Sequence, residues 1–526
     1  MSFAVSTRRV RILSQASFLT LWVFLILSTR HPVENAILPV SSFLRADPLV
    51  MTVVNVGLRM TVSITLLGLV TLLIAVVAGR VFCGWVCPLG SLFDLYGWIL
   101  KAFGVRTTGS SPRWYRLKFY LFGAMILIAS VAGMSPLIGL DPIVLLTRFT
   151  ATVIAPLGRV WGEFPWLAGG DVGTSGDFID VLTLVVFLLI ISGTTRLSRI
   201  WCRTVCPLGA YLGLAGRSAL LKRETNQCIH CNLCSANCPT GAIDFKDARL
   251  YNETECIKCF TCTEVCPVDA NQFVWGSPFR SQIGSRETAS LERREILATT
   301  VAALTVTPWL QSSSGDAGAN KNLVRPPMTR PEKDFLSSCI RCAECMKACP
   351  TGLLKPSKLE NGLRALWTPV MQPLEGYCVS DCNACSQACP TDAILKYPIE
   401  KKQSYKSGTA ILNMSACIGH SERKFCNECV RVCPTDAILL ESGWELEGGI
   451  RGGKSADYPA PEGQFPTRPR SVSFDRCIGC GACTYACNQI VMGEPALTLT
   501  AYGRGAPTQL EGMGGLETLE FQRDSE

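Results

Sequence analysis

The chemistry legible in this chain belongs to its cysteines, 28 in 526 residues, against only three histidines, His31, His230 and His420. Twenty-four of the cysteines fall into six runs of four, with none left over. Cys228, Cys231, Cys234 and Cys238 precede Pro239, and Cys256, Cys259, Cys262 and Cys266 precede Pro267. Cys339, Cys342, Cys345 and Cys349 repeat the pattern before Pro350. Cys378, Cys382, Cys385 and Cys389 carry one extra residue in the first gap, and Cys417, Cys426, Cys429 and Cys433 have an eight-residue first gap. Cys477, Cys480, Cys483 and Cys487 keep the regular spacing but end in Asn488.

The regular runs read C-x2-C-x2-C-x3-C-P, the bacterial ferredoxin spacing for 4Fe–4S clusters. Three thiolates in one tight loop grip three irons of a cube, and the fourth thiolate comes from elsewhere, in two-cluster ferredoxins from the partner run. On that arrangement Cys228, Cys231, Cys234 and Cys266 hold one cluster, and Cys256, Cys259, Cys262 and Cys238 hold another. Six runs predict six 4Fe–4S clusters. Zinc takes two cysteine pairs, or cysteine with histidine, across a longer loop, and three closely spaced cysteines suit disulfides badly. The histidine shortage excludes a multihaem cytochrome, since no Cys-x-x-Cys-His occurs. It also argues against a pair of haem b ligands in a membrane. No hydrolytic triad, phosphate loop or nicotinamide fingerprint stands out, so electron transfer is the expected activity.

The other four cysteines form an internal repeat. Arg80-Val-Phe-Cys83-Gly-Trp-Val-Cys87-Pro88-Leu-Gly90 matches Arg199-Ile-Trp-Cys202-Arg-Thr-Val-Cys206-Pro207-Leu-Gly209. Cysteines four apart share a helix face, so two facing pairs offer Cys83, Cys87, Cys202 and Cys206 to one site. That site is read as a cluster, a redox dithiol or, because soft ligands suit Cu(I), a copper site. A structural turn with packed thiols is the bland alternative.

These motifs need elements to hold them. Four apolar stretches near Arg11–Ser28, Leu58–Gly79, Leu117–Gly139 and Phe178–Gly193 are read as membrane spans. Arg8, Arg9 and Arg11 precede the first. Arg80, Lys101, Arg106, Arg113, Arg116 and Lys118 follow the second, against Asp94 alone, and Arg196, Arg199, Arg203, Arg217, Lys222 and Arg223 follow the fourth. The second intervening loop is acidic instead, with Asp141, Glu163, Asp171, Asp177 and Asp180. The positive-inside rule then places both ends of this module in the cytoplasm. The net charge of +8 is explained by that topology, and no nucleic-acid partner is expected. The fold class is mixed: a helical multi-pass membrane module, then α+β ferredoxin-like domains whose small cores depend on their clusters.

Residues 286–330 differ from their surroundings. Arg293-Arg294 leads into a short, moderately apolar stretch ending near Pro308-Trp-Leu310, followed by a polar tract and Arg325-Pro-Pro. Paired arginines before such a stretch look like a twin-arginine export signal, and a mid-chain position predicts a fusion of two ancestral chains. The segment is read as a fifth crossing, 296–310, that puts residues after about 311 in the periplasm. The domains expected are a membrane module (1–222), a cytoplasmic two-cluster ferredoxin domain (223–285), the join (286–330) and a four-cluster domain (331–526). The tail from about Leu499 is expected to be loosely ordered, and Gly448–Arg470 to be a surface insertion.

Residues 1–285 resemble the NapH and MauN ferredoxin-type membrane proteins, on the spans, Cys83-x3-Cys87-Pro88, Cys202-x3-Cys206-Pro207 and the first two runs. Residues 286–526 resemble NapG and MauM, on the twin-arginine start and the last four runs. The resemblance implies the electron-transfer subunit of a quinol dehydrogenase in the bacterial inner membrane. Its donor would be the quinone pool and its acceptor a periplasmic cytochrome or reductase. It also implies, as in other four-cluster electron-transfer subunits, that outer runs pair and inner runs pair. Cys339, Cys342 and Cys345 would then join Cys487, with Cys477, Cys480 and Cys483 joining Cys349. Likewise Cys378, Cys382 and Cys385 would join Cys433, with Cys417, Cys426 and Cys429 joining Cys389. Two other readings compete: a quinone-independent relay from a cytoplasmic ferredoxin, and a copper-reducing maturation or NosR-like regulatory factor.

Overall fold

Four prolines open helices in the first half of the chain, where a missing N–H costs nothing and the fixed φ suits the first turn. The computed structural model describes residues 2–29, 41–61, 66–105, 114–134, 136–155, 178–276, 293–312, 323–358, 362–421, 426–440, 469–491 and 493–501. Its helices run α1 (Ser2–Ser28), α2 (Ser42–Arg45), α3 (Pro48–Leu58), α4 (Leu67–Ala78), α5 (Val81–Trp85), α6 (Pro88–Ala102) and α7 (Leu117–Ala132). Then come α8 (Pro142–Phe149), α9 (Phe178–Thr194), α10 (Ile200–Thr204) and α11 (Pro207–Ala215). Asp47 and Asp141 cap α3 and α8: the Oδ1 of each accepts from two backbone N–H groups, at 2.8 Å from Leu49 and from Ile143. The internal repeat is therefore longer than its cysteines. Each copy comprises Asp-Pro-Leu/Ile-Val opening one helix, an apolar helix, a short cysteine helix and a proline-started helix.

Among the described residues, α1 is the one helix long and apolar enough to cross a membrane, over Thr7–Ser28. The expected span Leu58–Gly79 is divided. Arg59 takes the left-handed conformation that ends α3, and α4 starts only at Leu67. The expected spans at Leu117–Gly139 and Phe178–Gly193 are the apolar helices α7 and α9, shorter than a full crossing. The join contributes α12 (Arg293–Ser312), which packs along α7 in parallel. Tyr120 and Arg116 meet Glu295 near their starts, and Ile128 meets Ala303 further on.

Three ferredoxin-like units follow one plan: an outer strand pairing brackets two cysteine runs, and an inner pairing joins them. In the first, β1 (Leu221–Thr225) pairs antiparallel with β2 (Asn271–Trp275), and the inner pairing is the bridge Ile243–Tyr251. In the second, the outer bridge is Thr329–Ile394 and the inner pair is β3 (Leu354–Pro356) with β4 (Pro369–Met371). In the third, β5 (Thr409–Leu412) pairs with β8 (Leu497–Thr500) outside β6 (Ile438–Leu440) and β7 (Pro469–Val472). Leu499, expected to begin a loose tail, is instead held in β8 opposite Ala410, because this strand closes the third unit. Arg470, expected in the insertion, belongs to β7. Residues 441–468 and 502–526 lie outside the described residues.

The first unit and the other two sit at opposite ends of α1. Near its start Arg8 pairs with Glu264 of the first unit at 2.7 Å. Near its end Lys347 of the second unit donates to the carbonyl of Ile26. At about 1.5 Å per residue those contacts are about 27 Å apart along the helix. The helix α13 (Glu332–Ser338) also packs against α3.

Candidate site: seven sets of converging thiols

The loops of the regular runs turn by means of left-handed residues at two fixed positions. These are His230 and Asn232, Lys258 and Phe260, Arg341 and Ala343, and Gly479 and Gly481. In each pair the first lies just before the second cysteine and the other just after it, which curls the loop around a point. For a non-glycine residue this conformation costs about 1–2 kcal/mol, and such strain concentrates at functional sites. The irregular runs depart here as they do in spacing: Asn383 and Asn427, each following the second cysteine of its run, keep φ near −123° and −128°. Gly479 has a second constraint, since a Cβ there would lie 2.4 Å from the backbone N of Gly408. Gly479→Ala is therefore expected to cost about 1–3 kcal/mol by forcing the backbone to move, read as a lowered midpoint in denaturant unfolding of the whole chain.

The first unit assembles as its spacing predicts. Cys228, Cys231, Cys234 and Cys266 line one cavity. Cys262 interacts with Cys259, Cys256 and Cys238. The last four runs pair differently from the outer-with-outer expectation. Cys339, Cys342 and Cys345 share a cavity with Cys389, and Cys378, Cys382 and Cys385 face Cys349. Cys477, Cys480 and Cys483 share a cavity with Cys433, and Cys417, Cys426 and Cys429 face Cys487. The reason is the strand bracketing. Thr329–Ile394 and β5–β8 each enclose two consecutive runs, so a run's nearest partner is its sequence neighbour.

These sets fit a cubane cluster. A cube spreads its four thiolates over four irons, so they need not converge on a point, and among the described residues no three potential ligands form a single-ion site. Burial pushes the thiols of Cys256, Cys429 and Cys480 up to about 12, so bound iron is what would hold them as thiolates. The fourth cysteines also find donors. Backbone N–H groups of Ala270, Ala437 and Ala496 reach the Sγ of Cys266, Cys433 and Cys487 at 3.2–3.3 Å. A threonine two residues on meets the sulfur of Cys238, Cys349, Cys389 and Cys433. That Cys-Pro-Thr signal is readable in the sequence and was missed. Such donors tune reduction potentials.

The repeat places Cys83, Cys87, Cys202 and Cys206 together, all buried. Their arginines, missed as site residues, are exchanged between copies. Arg80 lies against Gly209 of the second copy, where a Cβ would sit 2.7 Å from its Nη2. Arg199 donates to the carbonyls of Cys83 (2.8 Å) and Gly90 (3.1 Å) of the first copy. Arg199 also pairs with Asp94 at 2.7 Å, while Arg80 and Lys118 share Glu255, at 3.2 and 2.5 Å. Four buried cations, Arg80, Lys118, Arg199 and Arg203, outnumber the buried or half-buried acids Asp94, Glu255 and Asp141 around the four thiols.

Contacts then order these sets along the molecule, with an apolar core and not a direct contact between the repeat and the second unit. Arg199 interacts with Cys259 of the first unit as well as with Cys202. Trp85, between Cys83 and Cys87, donates to the Lys258 carbonyl at 3.0 Å. One apolar core contains Cys83, Cys87, Cys202 and Cys206 and reaches Ile340 and Cys342 of the second unit. The second and third units adjoin where the Cys378 N–H donates to the Cys480 carbonyl at 2.8 Å.

Comparison with known proteins finds cluster domains over the same runs, one match straddling the second and third units. Two 4Fe-4S binding domain matches cover residues 60–106 and 179–225, the two copies of the repeat. Matches to 4Fe-4S dicluster domains cover 227–270, 338–393 and 377–437, and a further dicluster model covers 416–488. The ferredoxin-type protein MauM of methylamine utilization from Methylorubrum extorquens is 33% identical over 237 residues, 43% of this chain and 93% of its own. The ferredoxin-type protein NapG of Escherichia coli is 33% identical over 199 residues, 38% of this chain and 78% of its own. This chain belongs to the NapG/MauM ferredoxin-type proteins. Ferredoxin-type protein NapH of Haemophilus influenzae is 28% identical over 208 residues, 38% of this chain, which spans 61% of that relative. NapH-like and NapG-like parts are thus joined here in one polypeptide. No solved structure matches.

Proposed function

We propose that this NapH–NapG-type fusion is a membrane electron-transfer protein that carries electrons from quinol, through protein-bound 4Fe–4S clusters, to a periplasmic acceptor. The 24 cysteines of the six runs hold six clusters in the sets described above. Cys83, Cys87, Cys202 and Cys206 hold a seventh. That assignment is supported by the 4Fe-4S domain matches over both copies. When bound, the clusters supply one-electron chemistry. The chain's own residues space them, exclude water and set the surrounding charge.

The observation that carries the reading is the line of thiol sets from Cys228 through the repeat to Cys417, with cluster units at both ends of α1. That arrangement supports a multi-pass module of α1, α4, α7 and α9 with α12 as a fifth crossing. Residues 223–276 then face the cytoplasm and residues after about 323 the periplasm. Short helices such as α3 and α4, parted after Arg59, are compatible with a membrane where their ends are buried in protein. The caps of α3 and α8, Asp47 and Asp141, lie at zero exposure.

The same line favours a second reading, in which a cytoplasmic ferredoxin loads the Cys228–Cys231–Cys234–Cys266 end, where Cys231 is exposed, and no quinone is needed. Anaerobic reconstituted protein, mixed with a reduced menaquinol analogue and followed by EPR, separates the two. Quinol is expected to reduce part of the clusters rapidly, with a quinone-site inhibitor abolishing it and dithionite giving full reduction. No reduction by quinol, with ready reduction by ferredoxin, would replace the first reading with the second.

A further inference from the structure

The cavity of Cys339, Cys342, Cys345 and Cys389 adjoins the membrane module, and a charge from that module sits beside it. Arg148, in the last turn of α8, is 5% exposed. Its Nη2 donates to the Gly139 carbonyl at 3.3 Å, and Gly139 leaves the room, since a Cβ there would meet Nη1 at 3.0 Å. Its guanidinium lies over the indole of Trp367, 4.3 Å from the ring centroid. Its Nε and Nη1 are buried without a hydrogen-bond partner, as is the Trp367 Nε1. Among the described residues no carboxylate answers this charge; its electrostatic neighbours are Arg341 and the Cys342 thiol. Arg341 is held on the same loop, donating to the carbonyls of Leu366 (3.1 Å) and Arg364 (3.1 Å). Around the same cavity Arg325 is paired with Glu332 at 2.7 Å, Glu344 lies beside Lys347, and Arg45 of the module lies beside Asp392 and Cys389.

A buried arginine that no described carboxylate neutralises is costly, because the charge leaves water. Beside a second cation it is costlier still. The missing negative charge is what four thiolates and a cluster supply, and they supply one more when the cluster takes up an electron. The position is also asymmetric within the repeat. Counting from the capping aspartate, the first copy has Val54 where the second has Arg148.

We propose that Arg148 is an uncompensated counter-charge that the membrane module contributes to the Cys339–Cys342–Cys345–Cys389 cluster, raising its reduction potential and making it the acceptor for electrons leaving the membrane. Docking of the second unit on α8 is then also what sets that cluster's electron affinity. Uptake is one electron by the cluster core, with no bond made or broken. The proposal rests on the cluster assignment above but not on quinol as donor.

The test is a dithionite-poised redox titration of the full chain in detergent, followed by EPR. The relevant signal is the one lost in Cys342→Ser. In Arg148→Gln that signal's midpoint is expected to fall by at least 59 mV, a tenfold loss in the equilibrium constant for a one-electron couple. Arg148→Lys, which keeps the charge, should stay near the parent value, and both variants should keep their full iron content. An unmoved midpoint in Arg148→Gln, or an equal fall in Arg148→Lys, would overturn the proposal. If Arg148→Gln fails to accumulate, the Lys variant and Trp367→Phe decide. Trp367→Phe keeps the ring and the cation, so a fall there as large as a tenfold loss would make packing, not charge, the cause. Because the reductant is dithionite, the result stands whether or not quinol proves to be the donor.

Discussion

Replacing Cys389 with serine is expected to abolish the cluster of Cys339, Cys342 and Cys345, while replacing Cys487 leaves that cluster intact. The two substitutions separate the pairing of consecutive runs from the outer-with-outer arrangement, which predicts the reverse. Cys389 closes the cavity lined by Cys339, Cys342 and Cys345, and Cys487 faces Cys417, Cys426 and Cys429. Each variant should lose one cluster's EPR signal, or convert it to a three-iron species, with up to about four irons lost per chain. The Cys389 variant should also be the less stable. Its cavity underlies the joint with the membrane module, and small metal-dependent units draw much of their folding free energy from the bound metal. Loss of the same signal in the Cys487 variant would show that the strand brackets do not dictate ligand exchange.

The second large effect concerns the repeat. Cys83→Ser with Cys202→Ser should lower iron by about four atoms per chain without disturbing the six signals of the ferredoxin-like runs. Removing these two thiolates also leaves the buried cations Arg80, Arg199, Lys118 and Arg203 with less negative charge to answer them. Breaking a buried charge arrangement from one side costs about 3–5 kcal/mol, so the double variant is expected to show markedly lower yield in the membrane. Unchanged iron with copper lost instead would identify a copper site and favour the maturation-factor reading. Unchanged metal of both kinds would leave a dithiol.

Much of the site was open to reading from residue types alone. Loop spacing of two residues suits thiolates on one cube, so each run declared its own three-cysteine loop. Proline after the fourth cysteine turns the chain away, and threonine beyond it supplies a donor to the sulfur in four runs. The doubled Arg-x-x-Cys-x-x-x-Cys-Pro motif likewise announced a two-fold arrangement. Its aspartate-proline half was harder to see, because Asp47-Pro48 and Asp141-Pro142 look like ordinary turns until both prove to cap helices with fully buried carboxylates.

What the chain determined by itself was local: which thiols share a loop, where helices start, and where positive charge gathers. Which loop lends its fourth cysteine to which neighbour was decided only in three dimensions. Two runs far apart in sequence are as free to meet as two that are close until strands pair, and β5 with β8 and Thr329 with Ile394 make that choice. The exchange of Arg80 and Arg199 between copies, and the placing of Arg148 beside Cys342, are of the same kind. A buried charge has no sequence period to betray it. Its partner is whatever the packing brings within reach, and at the joint between membrane module and second unit that partner is a set of thiols almost two hundred residues away.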